Sequence, residues 1–96
     1  MTDYEIEHHQ DRLEYQAVQD GEVLGFCQYI DDGETVTFTH TVVREEFGGQ
    51  GIASALAKKA LDDLNERGDR TVIPQCSFIA KFISENSEYA GLLAQE

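Results

Sequence analysis

Cations are what this chain has least of. Its 96 residues carry seven Lys or Arg against nineteen Asp or Glu, a formal net charge of −12. A surface of that sign repels phosphate backbones and argues against nucleic acid as a partner. It attracts cationic acceptors such as a small amine or a lysine side chain, or it serves solubility alone. Long apolar runs are missing as well: no stretch approaches the roughly 20 residues of a membrane-spanning helix. The opening residues, Met1-Thr2-Asp3-Tyr4-Glu5, are acidic and lack the apolar segment of an export signal. The expectation is a cytoplasmic protein with no membrane partner. Cysteine is scarce too. Cys27 and Cys76 stand far apart and form no C-x-x-C pair, which argues against a disulfide framework or a thiolate zinc site and leaves two free thiols. His8 and His9 are adjacent, so on a strand they face opposite ways and make a poor metal site; no metal is expected.

What is present fits one domain spanning residues 1–96, with a modest core. Period-two alternation marks strands at residues 13–17, 22–30 and 34–43, with a short strand at 4–9 before them. Asp20-Gly21 and Asp31-Asp32-Gly33 supply the turns between them. The clearest strand, 34–43, puts Thr35, Thr37, Thr39 and Thr41 on one face and Val36, Phe38, His40 and Val42 on the other. The period then changes. Ile52, Leu56, Ala60 and Leu64, flanked by Ala53, Ala57 and Leu61, predict an amphipathic helix over about 49–66, ended by Gly68. A short apolar strand follows at 71–76. The chain's one proline, Pro74, leaves one side of that strand unpaired. Ser77 is placed to cap a helix over 77–84, and 86–93 has room for a last turn or two. The order is β-β-β-β-α-β-α. This is an α+β fold with a mixed sheet: a four-stranded antiparallel meander, then a helix crossover that sets the fifth strand parallel to, or splayed from, the fourth.

Gly48-Gly49-Gln50-Gly51 lies where strand gives way to helix. It lacks the Gly-Lys-Ser/Thr ending of a nucleotide-binding loop, and the G-x-G-x-x-G dinucleotide pattern does not fit. It is either a tight turn or a cradle in which bare N–H groups at a helix N-terminus hold a pyrophosphate.

Residues 43–53, Val-Arg-Glu-Glu-Phe-Gly-Gly-Gln-Gly-Ile-Ala, resemble the acetyl-CoA-binding motif of the GNAT N-acetyltransferase superfamily. Gly51 and Ala53 match the last two fixed positions of that R/Q-x-x-G-x-G/A motif, while Gly48 stands where Arg or Gln is usual. The chain is more closely similar to minimal, single-domain GNAT-like proteins, through His40-Thr41-Val42-Val43, Gly49-Gln50-Gly51-Ile52-Ala53 and Cys76-Ser77-Phe78 in that order. The resemblance implies that acetyl-CoA lies in a V between the fourth and fifth strands. Backbone near Thr41, Val42 and Val43 would meet the pantetheine arm. The N–H groups of Gly48, Gly49, Gln50, Gly51, Ile52 and Ala53 would hold the pyrophosphate. With no side chain at Gly48, weakened CoA binding is expected. Lys58, Lys59 and Lys81 are either candidates for the outer phosphate or a solvated helix face.

Two side chains carry the expected chemistry. His40 shares a face with Phe38 and Val42, so it should point inward or into the cleft, either as a satisfied core histidine or as a general base or thiol partner. Cys76, just before a helix start, is either a small buried residue or a nucleophile whose thiolate the helix N-terminus favours. The resemblance sets Cys76 beside the acetyl group. If the two residues met, a Cys–His pair could carry that group covalently; direct attack by the amine is the alternative. Cys27 reads as structural, and Tyr89 as packing rather than as an acid for the leaving thiolate. The implied activity is acetyl transfer to an unidentified amine, a small amine or a protein lysine. A CoA-binding module without turnover, or a scaffold whose glycine turn is purely structural, are the other readings. The helices that usually shape a GNAT amine pocket have no counterpart between the first two strands, which would leave the acceptor side open.

Overall fold

The computed structural model describes residues 4–48 and 51–93. Five strands, β1 (Glu5–His9), β2 (Glu14–Gln19), β3 (Glu22–Asp31), β4 (Thr35–Val43) and β5 (Thr71–Pro74), form one sheet in sequence order. The first four pair antiparallel, and β4–β5 is parallel. Helix α1 (Ile52–Arg67) makes the crossover, α2 (Ser77–Glu85) follows β5, and 3-10 turns occupy Gln10–Arg12, Glu45–Phe47 and Ser87–Leu92.

Alternation decides what each strand buries. Tyr15 and Ala17 of β2, Cys27 and Tyr29 of β3, Val36 and Phe38 of β4 and Val72 of β5 turn to one face. There they meet Ile52, Leu56, Ala57, Ala60, Leu61 and Leu64 of α1, Ile79 and Ile83 of α2, and Tyr89 and Leu92, in a single core cluster. Alanine-rich sequence favours α1, and Lys58–Asp62 and Lys59–Asp63 pair one turn apart on its polar side. The other face of the sheet has no helix packed on it among the described elements.

The start of β5 is held firmly. Thr35 pairs with Thr71 through to Phe38 with Pro74, and Arg70 Nε donates to Asp31 Oδ1 at 3.0 Å. Pro74 sits on the edge strand, where its missing N–H breaks no ladder.

The alternation of β4 does not run straight through. His40 pairs with Gln28 but Phe38 with Tyr29, so one extra residue, Thr39, bulges from β4. Before the bulge Val36 and Phe38 are buried; after it Thr41 and Val43 turn toward the core side, and His40 and Val42 are exposed. The expected grouping of His40 and Val42 with Phe38 is therefore corrected. Thr41 and Val43 likewise leave the face of Thr35 and Thr37.

Candidate functional site

Beyond Phe38 and Pro74 the two parallel strands separate. The N–H of Cys76 still donates to the carbonyl of Phe38 at 2.9 Å, and past that point β4 runs on to Val43 with no strand on its β5 side among the described residues. The expected splay is present, and it exposes an edge of unpaired backbone at residues 39–43. Gly25 lets β3 support that edge closely: a Cβ there would come within 2.9 Å of the Val42 carbonyl oxygen.

At the mouth of the gap the chain makes the 3-10 turn Glu45–Phe47 and enters α1. Gly51, the residue before the helix, has φ of 76°, a left-handed backbone that suits glycine and strains other residues. The first helical bond runs from Ala55 N–H to the Gly51 carbonyl. The N–H groups of Ile52, Ala53 and Ser54 are thus left without helical acceptors, and with the helix dipole they make a site for an anion. Gly49 and Gln50 lie outside the described residues. Gly48 is extended, with φ of −61°. Its N–H, expected as a pyrophosphate donor, instead donates to the Glu45 carbonyl at 3.1 Å. A Cβ there would stand 3.3 Å from that same oxygen, so a side chain fits only if the Glu45 carbonyl gives a little. A cleft of about 270 Å³ opens here, lined by Val43, Phe47, Gly48, Gly51, Ile52, Ala53, Ser54 and Phe78. Phe47 and Phe78 are contributions that sequence reasoning missed; both are ordinary core-type aromatics in sequence, and only the fold shows them flanking a gap.

Cys76 is the N-cap of α2 and is half-buried. Its Sγ donates to Thr41 Oγ1 at 3.4 Å, and Thr41 Oγ1 donates to Cys27 Sγ at 3.5 Å. Burial pushes the Cys76 thiol up, but Thr41 and the backbone N–H groups of Ile79 and Phe78 outweigh it, and the net shift is downward. Cys27 is fully buried and burial dominates, pushing its thiol up to about 11 despite Thr41. The shared threonine therefore separates a thiolate-favouring cysteine from an inert one. The Thr41 side chain was not anticipated as a thiol partner, because uninterrupted alternation had turned it away from the cysteines.

His40 is exposed and lies on the face opposite Thr41. The structure does not bring it into hydrogen bonding with Cys76, whose side-chain partner is Thr41. Among the lysines, Lys58 and Lys59 are tied to Asp62 and Asp63, while Lys81 is exposed on α2. Tyr89 is buried, donates to Asp62 Oδ1 at 2.6 Å and stacks on Phe82, a packing role. His8 stacks on Tyr15 and bonds the Tyr29 hydroxyl at 2.6 Å. Among the described residues no helix is long and apolar enough to cross a membrane.

These features agree with what the chain is similar to. A family model described as GCN5-related N-acetyl-transferase matches residues 12–92. Protein NATD1 of Xenopus tropicalis is 42% identical over 53 residues, 55% of this chain and 48% of that protein, so the match spans about half of the relative's length. A GCN5-like protein from Staphylococcus aureus superposes over 100% of this chain and 93% of its own, with a TM-score of 0.73 and 22% identity. The GNAT family N-acetyltransferase YhbS from Escherichia coli, solved in complex with CoA, matches 72% of this chain and 43% of its own at a TM-score of 0.57 and 27% identity. A GNAT family acetyltransferase from Elizabethkingia anophelis, with acetyl-CoA bound, matches 77% and 51% at 0.58 and 20%. The fold is that of the GNAT enzymes, and with the family model covering nearly all of it, the chain belongs to the GCN5-related N-acetyltransferase family.

Proposed function

We propose that this protein binds acetyl-CoA in the gap between β4 and β5 and transfers its acetyl group to an amine. The observation that carries the reading is the parting of the two parallel strands beyond Phe38, with the free N–H groups of α1 at its mouth. The unpaired edge at Thr41, Val42 and Val43 matches an extended, amide-bearing arm, which it would bind as a sheet binds an added strand. The free N–H groups of Ile52, Ala53 and Ser54, with Gly49, Gln50 and Gly51 before them, would hold the pyrophosphate, Gly48 shaping the turn while its own N–H stays on the Glu45 carbonyl, and Lys81 is available to an outer phosphate. CoA-bound relatives with this fold support the same pose.

The bound thioester supplies an acetyl carbon that accepts the amine nitrogen as its C–S bond breaks. Cys76, held by Thr41 at the start of α2, would meet that group, and His40 on the opposite face would take the proton the amine loses and return it to the departing CoA sulfur. The face reversal at Thr39 favours this direct route over a Cys76–His40 pair, because it separates imidazole from thiol. Calorimetric titration with acetyl-CoA tests the reading: micromolar to sub-millimolar binding is expected, and none at millimolar concentration would sink it. Mass spectrometry of Cys76 after incubation separates the routes, since a stable acetyl adduct absent in Cys76→Ala marks the covalent one. Binding with neither adduct nor acceptor acetylation marks a CoA-binding module.

A further inference from the structure

The face of the sheet on which no described helix packs reads as ordered rows. Register places Ile73, Thr37 and Ile30 in one. His40, Gln28, Glu14 and His9 form the next, and Val42, Phe26, Gln16 and Glu7 the one after. Toward β5 the face is apolar and open, with Ile73 43%, Val42 47% and Ile30 57% exposed. Toward β1 it is acidic. Glu14 is only 9% exposed, yet among the described residues its carboxylate meets only neutral amides, Gln16 Nε2 and Gln28 Nε2. Glu7 has His9 at 2.9 Å. None of these row positions is Lys or Arg. The middle row ends on β4 at His40, two residues past the carbonyl of Phe38 that takes the last β5-side bond.

We propose that this face is the acceptor-docking surface and that it takes an extended, basic polypeptide segment laid across the strands, a second cation of that segment resting on Glu14. The proposal rests on the acetyl-transfer reading, which puts the reacting amine beside His40. A nearly buried carboxylate with no Lys or Arg partner among the described residues is complementary to an incoming ammonium or guanidinium, which supplies the missing charge. Apolar side chains at Ile30, Val42 and Ile73 give the segment somewhere to pack, which a small lone amine would not use. Glu14 on β2 lies two strand spacings from His40, about 10 Å. An extended chain advances about 3.3 Å per residue and only alternate residues face the sheet, so the second cation falls two or four residues from the target lysine.

The test uses the full chain and synthetic peptides with one lysine and an arginine two or four residues away, against the same peptides with glutamate in the arginine's place. The arginine peptide is expected to shift the amide resonances of Glu7, Glu14, Gln28 and His40 without acetyl-CoA present, and to show a KM about tenfold lower than the glutamate peptide in its presence. Glu14→Gln should remove most of that difference with kcat held within about twofold. Glu7→Lys, at an exposed position that is safe for folding, should weaken the same peptide several-fold. Peptide binding indifferent to the second charge, shifts confined to the helical side, or a stable dimer that buries this face would overturn the proposal. Acetyl-CoA titration run alongside reports separately on the transferase reading, because the peptide-induced shifts are recorded without acetyl-CoA.

Discussion

Strand β4 has two halves that differ in almost everything but composition. Its first half is paired on both edges, to β3 and to β5, and its Val36 and Phe38 lie under both helices. Its second half, residues 39–43, is paired on one edge only and faces a cleft. One inserted residue, Thr39, divides them. The first half supplies stability and the second supplies backbone groups, a thiol partner and an exposed imidazole. A sheet that stayed zipped along its full length would satisfy those backbone groups internally and offer a ligand nothing.

The largest test of the contrast is Phe38→Ala, which empties a fully buried site and should destabilise the fold by about 3–5 kcal/mol in urea denaturation. A loss near 1 kcal/mol would mean that the zipped half is not the anchor. Gly51→Ala forces a left-handed backbone onto alanine; roughly 1–2 kcal/mol of strain should appear as lost stability or as acetyl-CoA affinity reduced about tenfold, and an unchanged protein would remove the turn from the account. Gly48→Arg works the other way. Its extended φ suits any residue and the Glu45 carbonyl, 3.3 Å from the new Cβ, has only to shift slightly, so one added phosphate contact of about 1 kcal/mol should tighten acetyl-CoA about fivefold by calorimetry. The smallest effect belongs to Thr41→Val. Removing the hydroxyl that accepts from the Cys76 thiol, and that can turn to donate to its thiolate, raises that thiol's pKa, so the pH midpoint of alkylation moves upward and the rate at neutral pH falls. Cys27, held up by burial, should stay unreactive near neutrality in both proteins. Equal alkylation of the two cysteines in the parent protein would erase the distinction drawn between them.

Much of this was readable in the amino acids. The change of period from two to 3.6 located the meander and α1, a short apolar run located β5 and a capping position located α2, and the α1 core positions fell where the four-residue spacing put them. Boundaries drifted by a few residues: β5 closes at Pro74 rather than 76, and Cys76 rather than Ser77 caps α2. The bulge was illegible because it is a backbone event. Thr-x-Thr-x-Thr alternation continues unbroken through residues 35–41, so nothing in residue type says where one position drops out of register. That single slip reversed His40, gave Thr41 to the cysteines and divided the expected Cys–His pair. The glycine turn was legible as a turn. Its φ at Gly51 and the aromatic walls of the cleft depend on how α1 and α2 converge, which a linear pattern does not carry.

Amide resonances followed during acetyl-CoA titration test the central claim most directly. The account predicts that shifts concentrate at residues 39–43, 51–54 and 76–78, with Thr35 to Phe38 nearly still. Shifts centred on His8, Tyr15 and Asp63 at the far end of the sheet, or spread evenly along β4, would contradict it.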